Sequence, residues 1–270
     1  MKNLELKQKL KEGDLVLGTL IVSTSPFWPK ILKDCSLDFI FIDTEHIAIS
    51  RETLSWMCRT YSAMGLPPLV RMKSPDKYIA TEFLDDGAAG IISPYTETVN
   101  QVKELVGSTK KRPLKGSRLN QLMAGKKNLD EPLKDYINKF NENNLLILNI
   151  ESAPAVKKLD QILDIEGIDA IQIGPHDLTT SLGIPEEYDN PIYLNTIEMV
   201  FKKARSKTVG AGIHAWGSPE YQKRLLDLGA NILIHKADAL FFRDGLENDL
   251  NEIRSLVGEN NVGRRENISI

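Results

Sequence analysis

Residues 39–72 read FIFIDTEHIAISRETLSWMCRTYSAMGLPPLVRM. The stretch opens on an unbroken apolar run, Phe39-Ile-Phe-Ile42, the pattern of a strand covered on both faces. Ser50 then stands where a helix N-cap belongs, with Thr53 in the first turn, and Gly65 closes a helix over 50–64. A second apolar strand follows over 67–72. Together these make one strand–helix–strand unit, which calls for parallel strands and a right-handed crossover.

The same alternation continues in both directions. Besides 39–42 and 67–72, strands are predicted over 14–21, 89–93, 145–150, 170–173, 209–214 and 231–235. Helices are predicted at the N-terminus and over 26–35, 76–86, 98–108, 133–141, 154–165, 193–206, 219–228 and 239–257, with a short helical turn over 177–182. Residues 109–131 break the rhythm and read as a long loop, rich in Lys, Gly, Asn and Leu. Eight strands alternating with helices predict an α/β fold, a single-domain (β/α)8 TIM barrel over 1–258 followed by a polar tail, 259–270.

Composition narrows the function classes. The 270-residue chain is 41% hydrophobic and 26% charged, enough for a large core without staples. Its net charge of -3 carries no footprint for nucleic acid or for an anionic membrane. The basic residues are scattered apart from Lys110-Lys-Arg112 and Arg264-Arg265, which read as solvated surface. Cys35 and Cys58 lack metal-ligand spacing and fit a reducing compartment. No signal peptide or bilayer-length apolar run is visible, so a cytoplasmic protein is expected.

Barrel active sites form at the carboxyl ends of the strands. Four chemistry-bearing residues fall there: His46, Arg71, Glu151 and Asp177. Taken singly, Glu151 and Asp177 read as helix caps. Together, on adjacent parallel strands, they would repel without a cation between them, and two oxygen ligands with open positions suit Mg²⁺ or Mn²⁺. A guanidinium at Arg71 can grip a carboxylate or an enolate oxygen, or can pair locally with Asp76 or Glu82. His46 is a candidate base with Asp43 and Glu45 beside it in sequence. His176 and His214 also fall at strand ends. Asp85 reads either as a surface acid or as a residue that orients His46. Lys73 and Lys236 are the strand-end lysines able to form an imine, though the acid pair favours a metal mechanism. Gly210-Ala-Gly-Ile-His-Ala215 lies inside a strand, so its likeness to a dinucleotide fingerprint carries little weight, and P-loop and GxSxG motifs are absent.

Across about 18–242 the chain resembles the HpcH/HpaI family of class II, metal-dependent pyruvate aldolases. The motifs that carry the resemblance are Phe41-Ile-Asp-Thr-Glu-His46, Val70-Arg71, Leu84-Asp-Asp-Gly-Ala88, Ile150-Glu151 and Ile173-Gly-Pro-His-Asp-Leu178 with Ser181-Leu-Gly183. The resemblance implies that Glu151 and Asp177 bind a divalent metal, Mg²⁺ or Mn²⁺ with Co²⁺ as an alternative. It implies that Arg71 stabilises a pyruvate enolate, that His46 does acid–base chemistry helped by Asp85, and that Asp43 lies near metal waters. Backbone around Gly174, Pro175, His176 and Asp177 would receive the pyruvate carboxylate, with Asn149 lining the same site. The implied reaction is reversible cleavage of a 4-hydroxy-2-oxo acid to pyruvate and an aldehyde. Assembly as a homo-oligomer is expected, a hexamer built as a trimer of dimers that exchange the last helix. The chain departs from the pattern at Lys115-Gly-Ser-Arg-Leu-Asn120, at Asn149 and at Lys236, where a glycine is common. Lys236 and His214 are therefore candidates for aldehyde specificity, with Lys236 suggesting an acidic or phosphorylated aldehyde. The competing reading on this scaffold is condensation of a 2-oxo acid such as oxaloacetate with an acyl-CoA.

Overall fold

The computed structural model describes residues 3–258. Its strands are β1 (Val16–Leu20), β2 (Phe39–Asp43), β3 (Pro68–Arg71), β4 (Gly90–Ser93), β5 (Leu145–Ile150), β6 (Ala170–Ile173), β7 (Gly210–Ala215) and β8 (Ile232–Ala237). Each pairs in parallel with the next, and β8 returns to β1, closing the barrel. The (β/α)8 expectation holds.

Two apolar layers explain the uninterrupted strand sequences. Phe39 and Phe41 of β2 join Leu69, Ile92, Leu145 and Ile147 inside the barrel. Ile40 and Ile42 point outward into the layer beneath the helices, with Val70, Leu146, Leu148 and Ile171. Both faces are apolar because both are buried, and the period of two survives only as a choice of layer. Truncating a fully buried phenylalanine such as Phe39 would cost about 3–5 kcal/mol. At Gly18 on β1 a Cβ would lie 2.4 Å from the Phe39 ring, so the missing side chain is what lets that ring fill the barrel. The helix Asn3–Glu12 adds Leu6 and Leu10 to the interior cluster.

Parity also decides which residues face the mouth. Phe39 and Phe41 point inward, so Asp43 does too. Leu69 sends Arg71 inward, and Leu145 and Ile147 do the same for Asn149 and then Glu151. Every helix that follows a strand runs back antiparallel to it, so helix C-termini return to the amino-terminal end of the barrel.

Four expectations change. Residues 109–131 are not a structureless loop: the preceding helix, Val99–Lys110, runs longer, and Gly116–Met123 forms another. Leu119 and Met123 of that helix pack over Gly107, where an added Cβ would meet them at an ordinary contact distance of 3.4–3.6 Å, a packing across helices that local periodicity does not reveal. The helix expected over 154–165 breaks at Lys158 into Ala153–Lys157 and Leu159–Leu163. The helix expected over 26–35 shrinks to Trp28–Leu32. Lys110 is not solvated surface. Its ammonium is enclosed against Asp169 and the Asn144 carbonyl, and burial pushes its pKa down to about 8. The polar tail over 259–270, including Arg264-Arg265, lies outside the described residues.

Candidate active site

Asp43 and Arg71 meet as β2 and β3 end in register. Arg71 donates from Nε to Asp43 Oδ1 at 2.9 Å and from Nη2 to Oδ2 at 2.6 Å. The Glu45 N–H donates to the same Oδ1 at 2.9 Å, closing a tight turn after the strand. Burial alone would raise the Asp43 pKa, but the Arg71 bonds and charge outweigh it and hold the carboxyl below its usual range. Arg71 therefore stays charged although nearly enclosed, with its guanidinium 5.4 Å from the centre of the Phe41 ring. The local alternatives for Arg71 are taken elsewhere. Asp76 caps its own helix by accepting from the Tyr78 and Ile79 N–H groups, and Glu82 pairs with Arg51.

Glu45 bridges the guanidinium and the imidazole. Its Oε2 lies 3.1 Å from Arg71 Nε and 3.8 Å from His46 Nε2. The Nε hydrogen is directed at Asp43, so Glu45 Oε2 has charge contact without an aligned donor. His46 itself is half exposed at the rim.

Glu151 follows β5 directly and is buried. The Tyr95 N–H donates to its Oε1 at 2.6 Å, and Asn149 Nδ2 donates to Oε2 at 3.0 Å. Tyr95 takes the left-handed φ of 52° to present that amide. Burial, partly countered by these two donors, pushes the Glu151 pKa up, and the charges of Asp177 and Glu45 add to the rise. Asp177 sits in the first turn of the helix Pro175–Ser181, which Gly174 begins without a side-chain cap. The two carboxylates converge on Gly174. A Cβ there would lie 2.9 Å from Glu151 Oε2 and 3.6 Å from Asp177 Oδ2. Ser181 locks this arrangement by accepting from the Ala153 N–H at 3.0 Å, joining the loop after Glu151 to the helix that carries Asp177.

The donor set fits a divalent cation. The Glu151 anion is disfavoured by burial and further by the neighbouring acids Asp177 and Glu45, and Asn149 Oδ1 beside it is enclosed without a partner. Among the described residues no three His, Cys, Asp or Glu side chains form a ready-made cage, so protein ligation would rest on the pair Glu151 and Asp177. A small hard cation commonly binds through one or two carboxylates and completes its shell with water and substrate.

The remaining candidates separate. Asp85 does not meet His46 within the chain. It ends the helix Lys77–Asp85, which returns it to the amino-terminal end of the barrel, and there it pairs with Arg112. The His176 ring is exposed and 3.6 Å from Glu186, and its backbone carbonyl accepts from the Thr179 and Thr180 hydroxyls at 2.9 Å each. Lys236 ends in an ion pair with Asp244 at 3.0 Å, so its charge does not stand free at the mouth. His214 is buried at the end of β7, with Nε2 3.1 Å from the Lys236 carbonyl. Two site neighbours were missed from sequence, Tyr95 and Trp216. Each lies just past a strand end, β4 and β7, so the rule that found Glu151 would have found them. Among the described residues no helix is long and apolar enough to cross a membrane.

The chain is 28% identical to the 2-keto-3-deoxy-L-rhamnonate aldolase of Escherichia coli K12, over 92% of each chain. It superposes on the HpcH/HpaI aldolase of Desulfitobacterium hafniense with a TM-score of 0.80 at 25% identity, covering 95% of this chain and 99% of the other. It superposes on the citrate synthase SbnG with a TM-score of 0.79 at 27% identity, covering 95% and 100%. These likenesses support an aldolase or lyase activity. Residues 20–234 match the HpcH/HpaI aldolase/citrate lyase family, and the chain belongs to it.

Proposed function

We propose that this protein is a carbon–carbon lyase that cleaves a 4-hydroxy-2-oxo acid reversibly to pyruvate and an aldehyde, with Mg²⁺ or Mn²⁺ as cofactor. The observation that carries this reading is the convergence of Glu151 and Asp177 on Gly174, on the same barrel end as Arg71. A divalent cation held by that pair would supply Lewis acidity, offsetting the negative charge that builds on the enolate oxygen.

The chain's own residues account for the rest. Asp43 takes two of the five guanidinium N–H donors of Arg71 and aims the group. The Nη1 donors remain for the 2-oxo oxygen, where they stabilise the developing enolate. Gly174 offers no side chain to the first turn of Pro175–Ser181, leaving the His176 and Asp177 amides for the pyruvate carboxylate. Asn149 and the Tyr95 amide hold Glu151 in place. His46, half exposed beside Glu45, moves the proton of the 4-hydroxyl in cleavage and returns it in addition. If Asp85 assists His46, it does so from a second copy of the chain, because its own barrel keeps the two apart.

Assembly belongs to the same proposal. Phe242, Leu246, Leu250 and Ile253 form an exposed apolar stripe on the helix Asp238–Leu256, at spacings that share one helical face. We assign that stripe to packing between copies, consistent with a hexamer arranged as a trimer of dimers.

The test is direct. Purified protein with Mn²⁺ should release pyruvate from 4-hydroxy-2-oxo acids, lose that activity in EDTA and regain it when metal is restored. Full activity in EDTA would end the metal reading. The likeness to SbnG favours one second reading, condensation of oxaloacetate with an acyl-CoA. Free thiol released from an acyl-CoA, with no pyruvate from 4-hydroxy-2-oxo acids, would establish it instead.

A further inference from the structure

Tyr95 ties together the two acid clusters of the site. Its backbone N–H donates to Glu151 Oε1 at 2.6 Å, and its carbonyl accepts from Gln101 Nε2 at 3.2 Å. Gln101 Oε1 in turn accepts from the Glu97 and Thr98 N–H groups, anchoring the turn to the start of the helix Val99–Lys110. The main chain at Tyr95 is thus clamped on both sides, at a left-handed φ of 52°. From that position the phenol reaches the other cluster and donates a hydrogen bond to the Glu45 carboxylate.

Neither backbone nor burial calls for this side chain. Glycine adopts a positive φ without strain, whereas a residue with a Cβ resists it. The residue is 55% exposed, so core packing does not explain it either. What remains is the hydroxyl. Glu45 needs a donor, because its side chain is only 8% exposed and the aligned N–H groups of Arg71 go to Asp43. Glu45 Oε2 lies 3.1 Å from Arg71 Nε and 3.8 Å from His46 Nε2, with no hydrogen bond of its own. Charge attraction alone holds a carboxylate without direction. A hydroxyl bonded to an ionised carboxylate is both strong and directional, so the phenol supplies the missing constraint.

We infer that Tyr95 is a positioning residue, whose hydroxyl fixes Glu45 beside His46 so that the imidazole faces the 4-hydroxyl it deprotonates. This deepens the aldolase reading and rests on it. The amide of the same residue holds Glu151, so one turn after β4 sets the spacing between the proposed metal-binding acid and the proton-transfer pair. The two halves of the role separate chemically. In cleavage, His46 takes the 4-hydroxyl proton as the C3–C4 bond breaks. The bond electrons pass into the pyruvate enolate, and the freed oxygen becomes the aldehyde carbonyl. In oxaloacetate decarboxylation the C3–C4 bond breaks to release CO2, its electrons form the same enolate, and there is no hydroxyl proton to remove. Loss of the phenol therefore weighs on the first reaction more than on the second.

The experiment measures both reactions with Mn²⁺, using 4-hydroxy-2-oxopentanoate and oxaloacetate, in wild type, Tyr95→Phe, Glu45→Ala and the double variant. Y95F should lower kcat for cleavage about tenfold relative to kcat for decarboxylation, with KM for the 4-hydroxy-2-oxo acid little changed. Its Mn²⁺ affinity by titration calorimetry should equal that of wild type, because the backbone amide to Glu151 remains. Since Tyr95 acts through Glu45, E45A should lower the same ratio, and adding Y95F to E45A should lower it no further. If oxaloacetate is not a substrate, the same double-variant cycle on kcat for cleavage decides. An unchanged Y95F ratio, an equal fall in both reactions, weakened Mn²⁺ binding or a full second fall on the E45A background overturns the inference while leaving the aldolase reading standing. A wild type that releases no pyruvate from 4-hydroxy-2-oxo acids ends the aldolase reading and the inference with it.

Discussion

Arg71 and Asp43 face each other across neighbouring strands and share two parallel hydrogen bonds, at 2.9 and 2.6 Å, in an almost fully enclosed pocket. The pair spends part of the guanidinium on structure so that the remainder points one way. Removing the acid leaves a buried cation without a partner. Asp43→Ala should cost about 3 kcal/mol of stability, read by urea unfolding at pH 7, and should lower kcat/KM for pyruvate release by at least tenfold. The pH dependence has a definite sign. The folded pKa of Asp43 is depressed below its ordinary value of 3.8, so its stabilisation is present above that pH and is lost as pH falls through the folded value. The gap between wild type and D43A should therefore narrow in acid below about pH 4.

Glu151 has the opposite sign. Its folded pKa lies above the ordinary 4.5, so ionisation penalises the folded state as pH rises past that value, and the penalty fades as pH falls through the folded pKa. Without metal, Glu151→Gln should match or exceed wild-type stability at pH 7, by up to about 1 kcal/mol, while abolishing turnover. Mn²⁺ should raise the wild-type Tm and leave that of E151Q unmoved. A variant that keeps the metal-induced shift would remove Glu151 from the binding pair.

Gly174 is required by space rather than by backbone angle. A methyl group there would press on Glu151 Oε2 at 2.9 Å and on Glu151 Cβ at 3.0 Å. Gly174→Ala should therefore push the Glu151 carboxylate away from Asp177 and weaken Mn²⁺ binding by tenfold or more, since these contacts must open by several tenths of an ångström. Titration calorimetry gives the affinity directly, and an unchanged value would show that the carboxylates do not act as a pair.

The stripe on the helix Asp238–Leu256 gives a prediction about assembly. Leu246→Asp places a charge in the middle of that apolar row and should convert the wild-type oligomer into a smaller species by light scattering, while the barrel keeps its circular dichroism. A wild-type protein that is monomeric at micromolar concentration would dismiss the assignment.

Much of the site was legible before any coordinates because a parallel barrel sends strand ends to one place. Runs such as Leu145-Leu-Ile-Leu-Asn-Ile150 mark a strand, and the next residue is then at the mouth. Period-two parity adds that Asn149 and Glu151 share a face. Asp85 shows the limit of that reading. Its motif, Leu84-Asp-Asp-Gly-Ala88, suggested a partner for His46, but a helix C-terminus belongs to the other end of the barrel, where Arg112 takes it. Lys110 sat in a basic cluster that looked solvated, and only the approach of Asp169 and Asn144 from distant segments shows why it is buried.

The amino-acid order alone determined eight strand–helix units, their parallel direction and the set of residues at their carboxyl ends, because those properties follow from local periodicity and from the chirality of the crossover. Tertiary structure decided the pairings: Arg71 with Asp43 rather than Asp76 or Glu82, Lys236 with Asp244 rather than with open solvent, and the His214 ring with the Lys236 carbonyl. Those choices turn on distances between segments far apart in the chain and on how much water burial removes, and neither quantity is written in a local stretch of sequence.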